Sequence, residues 1–240
     1  MQGSSCFVEA VTARLCGDQE MSRELLHDAD IREPLFDFLE EKLGKIRILE
    51  EKQTGRARAD VVMVTERYLY GIEIKSDADT YARLKKQVRY YDQYYDRNVV
   101  VVGSTHAMHV SEHVPEWWGI ISAEWIDGSI DFYVLREPQD NPKVQEEKKI
   151  TILWRPELNR LLEQNVLPAY KRKSKSFVQK KLLEKVPGDR LWPMAMEELF
   201  ERDYNTIDEE IAHYHHIERL CGQHNHQDRA GPLHEAVRFP

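Results

Sequence analysis

Apolar and polar positions along this chain follow two rhythms. Leu35, Phe38, Leu39 and Leu43 recur every three or four residues, the stripe of an amphipathic helix. That helix is expected to begin at Asp30, with Asp30-x-x-Glu33 as a capping box and Pro34 in its first turn, and to end at Gly44. Phe7, Val8, Val11 and Leu15 keep the same spacing and predict a short packing helix upstream. Tyr81, Leu84, Val88, Tyr91 and Tyr95 predict a third helix, opened by the turn-forming stretch Ser76-Asp77-Ala78-Asp79-Thr80.

The second rhythm is that of strands. Ile46–Leu49 is a short apolar run. Val61–Val64 is another, and after Thr65-Glu66-Arg67 a further run closes on Ile72-Glu73-Ile74-Lys75. Two short runs rich in β-branched and aromatic residues, joined by a polar break, predict an antiparallel hairpin. Asn98–Gly103 reads as a strand buried on both faces, Ile120–Ala123 as a further strand and Ser129–Leu135 as an edge strand. Glu137–Lys149 is polar with two prolines and predicts a flexible connection; beyond Ile150 the pattern is mostly helical. Strand, helix, strand between residues 69 and 103 predicts a crossover. The expected fold is α/β, a mixed sheet flanked by helices with a helical C-terminal part. The expected division is a core over 1–140 and, over 141–240, an extension with a basic patch and a histidine-rich tail.

The hairpin carries the chemistry. Side chains alternate along a strand, so Ile72 and Ile74 share one face while Glu73 and Lys75 share the other, about 7 Å apart. Burying charges without partners costs several kcal/mol, so an acid and a lysine set among apolar neighbours need a reason. A metal-assisted phosphodiesterase site supplies one. Asp60 and Glu73, with the Ile74 carbonyl, would hold Mg²⁺ or Mn²⁺, because hard cations take oxygen ligands; Lys75 would sit beside the attacking water. Gln87 lies beside an apolar stripe and needs a partner, whereas Tyr91 is expected to be plain core.

Composition narrows the field. The chain has 240 residues, 41% of them hydrophobic and 32% charged, which suits a globular protein with a substantial core. A net charge of -8 excludes a globally basic nucleic-acid binder and confines any such contact to local patches. Arg58, just ahead of Asp60, is one candidate. Residues 169–186 hold seven Lys or Arg against one Glu, and Lys171, Arg172, Lys173 and Lys175 form the densest part. A solvated helix face stands beside the phosphate-binding reading for this patch. Three scattered cysteines, Cys6, Cys16 and Cys221, point to a reducing compartment. With no signal-peptide pattern and no membrane-length apolar run, the cytoplasm is expected and a membrane partner is not. Cys221 and the six histidines of the last forty residues lack a second ligand pair at zinc-finger spacing, so a polar tail is expected rather than a zinc site.

Asp60, then Glu73-x-Lys75, resembles the PD-(D/E)XK nuclease superfamily, with Arg58-Ala59 where proline is usual before the aspartate. Gln87-x-x-x-Tyr91 is similar to the RecB-like branch. Together with Trp117-Trp118-Gly119 and Leu153-Trp154-Arg155, the set looks like a family of small bacterial and phage proteins within that group, over residues 28–203. The resemblance implies a restriction-endonuclease-like core and Mg²⁺-dependent cleavage of nucleic acid, DNA before RNA, leaving a 5′-phosphate. It places Gln87 near the active site and makes Glu33 the helical glutamate that arranges the metal's waters; capping is the other reading of Glu33. A catalytically idle nuclease fold that binds nucleic acid, or a subunit of a phage, defence or repair assembly, is the alternative. A protein partner or a homodimer stays open.

Overall fold

The computed structural model describes residues 25–50, 53–54 and 57–202, with side chains over 25–49 and 59–202. The stretch Phe7–Leu15 expected to form a helix, the three cysteines and the histidine-rich tail lie outside the described residues.

Eight strands follow one another as β1 (Arg47–Glu50), β2 (Gln53–Thr54), β3 (Ala57–Arg58), β4 (Val61–Val64), β5 (Leu69–Lys75), β6 (Arg97–Gly103), β7 (Gly119–Ile126) and β8 (Ser129–Arg136). Six of them form a mixed sheet in the order β1-β4-β5-β6-β7-β8, while β2 and β3 pair only with each other. The expected hairpin is present, with Val61 opposite Ile72 and Val64 opposite Leu69. β5, β6 and β7 run parallel, and β7–β8 returns antiparallel to the edge. β5 is buried at every position, as a strand covered on both faces must be. β8 alternates exposed and half-buried residues, as an edge strand with one wet face does.

Helix α1 (Asp28–Leu43) covers one face of the sheet. Ile31, Leu35 and Leu39 pack there with Ile72, Ile74, Val99 and Val101, and Phe38 stacks on Phe132 at 5.1 Å. The helix starts at Asp28, two residues earlier than its sequence suggests. Asp30 is its third residue and accepts the His27 N–H through Oδ2 at 2.9 Å, so Asp30 closes the cap itself and leaves Glu33 exposed. Pro34 consequently lies inside the helix, beyond the first turn.

The opposite face carries α2 (Leu84–Tyr94) and the C-terminal helices α4 (Arg155–Gln164), α5 (Lys175–Lys185) and α6 (Gly188–Phe200). Leu84, Tyr91 and Tyr95 join Val62, Val100 and Val102 in one apolar cluster with Leu158, Leu182 and Leu199. The C-terminal helices therefore share one apolar core with the sheet. The stretch expected to be a flexible connection is ordered too: it contains α3 (Glu146–Lys149), and buried Asn141 donates Nδ2 to the carbonyls of Asp92 and Tyr95 at 2.9 and 2.7 Å. Its prolines mark a fixed path, because these hydrogen bonds satisfy the α2 carbonyls that a helix end leaves open. Lys149 is buried against Asp96 at 2.7 Å, and the other Asp96 oxygen accepts the Leu69 N–H at 2.8 Å.

Close approach of α2 to the sheet depends on Gly71. A Cβ there would lie 2.2 Å from Cδ2 of Tyr95 and 2.7 Å from Cδ1 of Tyr91. Gly71→Ala must push both rings outward, and overpacking of this kind costs about 1–3 kcal/mol. Urea unfolding should show the midpoint falling with little change in slope.

Candidate active site

Glu73 is the centre of the site. It stands on the α2 side of β5 and is 0% exposed. Lys75, two residues on, donates Nζ to Glu73 Oε1, and so does the side-chain amide of Gln87. Tyr91, one helical turn after Gln87, donates its hydroxyl to Glu73 Oε2 at 2.7 Å. The i, i+4 spacing places both α2 residues over the same strand position. Lys75 also reaches the Ile74 carbonyl at 3.3 Å.

Asp60 joins the site through the backbone. Its Oδ2 accepts the Ile74 N–H at 3.0 Å, which holds the end of β5 against the residue that precedes β4. Its own N–H points to the Tyr91 hydroxyl oxygen at 3.3 Å. That hydroxyl has one proton and two lone pairs, so it gives the proton to Glu73 and accepts from Asp60. Tyr91 thus bridges the two acids. Arg32 reaches the Asp60 carbonyl at 3.2 Å while binding Asp28 at 2.8 Å.

Burial and neighbouring acids set the electrostatics. Burial, then the charge of Asp60, pushes the Glu73 carboxyl up to about 7, against the pull of Lys75 and Tyr91. Asp60 is also raised, first by burial and further by Asp28, with the Ile74 N–H, Lys75 and Arg32 opposing. Burial holds the Tyr91 hydroxyl protonated well beyond its ordinary range, so it acts as a donor to Glu73.

The sequence-predicted residues divide. Asp60, Glu73, Ile74, Lys75 and Gln87 are brought together. Glu33 is exposed and makes none of the contacts that define the site; five residues on from Asp28, it lies about 140° around the helix from the Asp28 side. Asp28 and Arg32, four apart on one face, are the α1 residues that approach Asp60. Tyr91 is core, as expected, but its hydroxyl also belongs to the site. Its spacing from Gln87 was the available signal. Arg58 lies in β3, and its side chain is outside the described ones. In the basic patch, Lys171, Arg172 and Lys173 are exposed. Lys175 is half-buried and donates to the Thr151 carbonyl at 3.1 Å, and burial lowers its pKa.

A divalent cation suits this set of donors. The charge of Asp60 raises the proton affinity of Glu73, and the buried Gln87 Oε1 has no hydrogen-bond partner among the described residues. No group of three or more His, Cys, Asp or Glu converges on one point among the described residues. Mg²⁺ keeps several waters and is commonly held by one or two carboxylates, so Asp60, Glu73 and the Ile74 carbonyl are the donors that would hold it.

The chain belongs to the bacteriophage P4 protein cII family, whose profile matches residues 21–218. No curated protein and no solved structure matches it. No helix among the described residues is long and apolar enough to cross a membrane.

The raised Glu73 fixes the sign of one pH effect. A carboxyl with a folded pKa near 7 and an ordinary value of 4.5 binds a proton more tightly when folded. Its contribution to stability is complete below 4.5 and is lost as pH rises through 7. In EDTA the Tm should therefore fall between pH 5 and 8. Glu73→Gln should remove most of that fall, and differential scanning calorimetry across the range tests it.

Proposed function

We propose that this protein is a metal-dependent nuclease of the PD-(D/E)XK type that hydrolyses phosphodiester bonds, DNA in preference to RNA. The observation that supports it best is the convergence on Glu73 of Lys75, Gln87 and Tyr91, with Asp60 tied to the same strand end. A fold alone has no need of a buried acid pushed up to about 7 and flanked by a second one. Asp60, Glu73 and the Ile74 carbonyl would hold Mg²⁺ or Mn²⁺. When bound, such an ion polarises a phosphoryl oxygen and makes a bound water more acidic.

The chain's own residues have separable roles in this reading. Lys75 orients the attacking water and offsets charge on the phosphate. Gln87 and Tyr91 fix the Glu73 carboxylate, so that it does not rotate towards Lys75 alone. Attack in line with the 3′-oxygen leaves a 5′-phosphate. Arg32 and Asp28 hold the Asp60 backbone from the α1 side.

A second reading is a catalytically idle nuclease fold that binds nucleic acid or serves as a regulatory subunit. It is favoured by one detail: both Glu73 oxygens already have donors from Lys75, Gln87 and Tyr91.

Incubation with linear, circular and single-stranded DNA in Mg²⁺, Mn²⁺ or EDTA distinguishes the two. Cleavage is expected with metal only. Lys75→Ala should lower it by about 10²–10⁴-fold with little loss of affinity. Millimolar Mg²⁺ or Mn²⁺ should raise the Tm of the wild type but not of Glu73→Gln, because metal bound to the folded state alone stabilises it. Binding without cleavage, and no metal-dependent shift, would establish the idle reading instead.

A further inference from the structure

The outer face of α2 has its own chemistry. Lys85 and Lys86 are exposed there, with Arg89 three and four residues on, and none of them makes a salt bridge among the described residues. They line one wall of an open groove of about 820 Å³, floored by Val88 and Asp92, whose far wall is Lys143 and Gln145. The far wall is fixed in place. The Gln145 N–H donates to the Gln93 carbonyl at 3.0 Å, and Asn141 holds the end of α2 as described above. The groove is therefore built from two pinned segments.

Its charge is one-sided. Asp92, the one acid on the floor, accepts the indole N–H groups of Trp117 and Trp118 at 3.2 and 2.8 Å, and its second oxygen faces Lys143 at 3.6 Å. Lys143 also rides on the Trp117 ring at 4.5 Å. Those partners account for Asp92 and Lys143. Lys85, Lys86 and Arg89 are left as three cations facing solvent on a chain of net charge -8. From residue 85 to 89 the helix rises about 6 Å, roughly two nucleotides at ~3.4 Å per nucleotide along one strand. Gln87, between Lys86 and Arg89 in sequence, turns inward to Glu73.

We propose that this groove seats the phosphodiester backbone of one nucleic-acid strand, with Lys85, Lys86 and Arg89 each taking a phosphate, and leads that strand to or from Glu73. This rests on the nuclease reading for the direction of the strand, while the binding itself stands independently. The basic turn at Lys171–Lys173 is a separate exposed surface, and the groove lies on the helix that also supplies Gln87 and Tyr91.

The test uses the full chain with Glu73→Gln throughout, in EDTA, so that binding is read without cleavage. Fluorescence anisotropy with labelled single-stranded and duplex DNA is followed across a salt series. Lys85→Gln/Lys86→Gln/Arg89→Gln should lower affinity on the order of tenfold or more. The log–log salt slope should fall by about 2 on single-stranded DNA, at ~0.7 per lost phosphate contact. Lys42→Gln/Lys45→Gln/Arg67→Gln removes the same charge from the α1 side and the hairpin turn, and should change neither by much. Unchanged affinity and slope in the groove variant overturn the inference, as does an equal loss in the charge-matched variant or the absence of any DNA binding. If the wild type cleaves DNA with Mg²⁺ while the groove variant binds normally, the groove is wrong and the nuclease reading stands. If the groove variant loses binding and the wild type never cleaves, the groove stands and the nuclease reading fails.

Discussion

Everything around β5 follows from burying one carboxylate. Glu73 is fully enclosed by protein, and a lone ionised acid in such a place is not tolerated. The fold meets this by delivering three donors to two oxygens, one from the same strand and two from the helix laid across it. Gly71 lets that helix come close enough, and the alternation of β5 sends Ile72 and Ile74 into the apolar layer under α1. The same three donors do not remove the repulsion from Asp60, so the carboxyl keeps a high proton affinity.

Much of this could be read from residue order, for reasons that differ by element. The hairpin and β6 were legible because runs such as Val99–Val102 are too short for helices and too apolar for loops. Glu73 and Lys75 were legible because period two cannot place them anywhere but on one face. The start of α1 was not: Asp28, Asp30 and Glu33 all suit a first turn, and only the fold shows which oxygen meets the His27 N–H. With the start placed two residues late, the Asp28–Arg32 pair does not show in the sequence pattern. Tyr91 was half-read, since a ring in the core and a hydroxyl on an acid are compatible, and a core stripe says nothing of the hydroxyl. Lys175 counted as one charge among seven in its sequence, and its burial depends on packing 24 residues away at Thr151.

The C-terminal helices are bound to the sheet by polar contacts as well as apolar ones. Arg202 and Glu157 form a fully buried pair, with Nε–Oε1 at 2.6 Å and Nη2–Oε2 at 2.7 Å, and Arg202 also lies over the Trp154 ring at 4.5 Å. Arg47 on β1 donates to the Arg202 carbonyl at 2.8 Å, which joins the last described residue to the first strand of the sheet. Removing one member of such a pair is costly because it strands the other charge, even where the pair adds little net stability.

The three parallel strands have a consequence for how the molecule assembles. β5, β6 and β7 are neighbours in space but are separated by long connections, so each pairing must close a loop before any contact is gained. A growing chain can form the β4–β5 hairpin from local residues alone, with Glu73 still hydrated. Gln87 and Tyr91 reach Glu73 only when α2 crosses over, and the apolar layer above α2 is complete only when residues near 199 have emerged. The buried, three-donor state of Glu73 therefore belongs to the assembled fold and not to the hairpin that carries the acid.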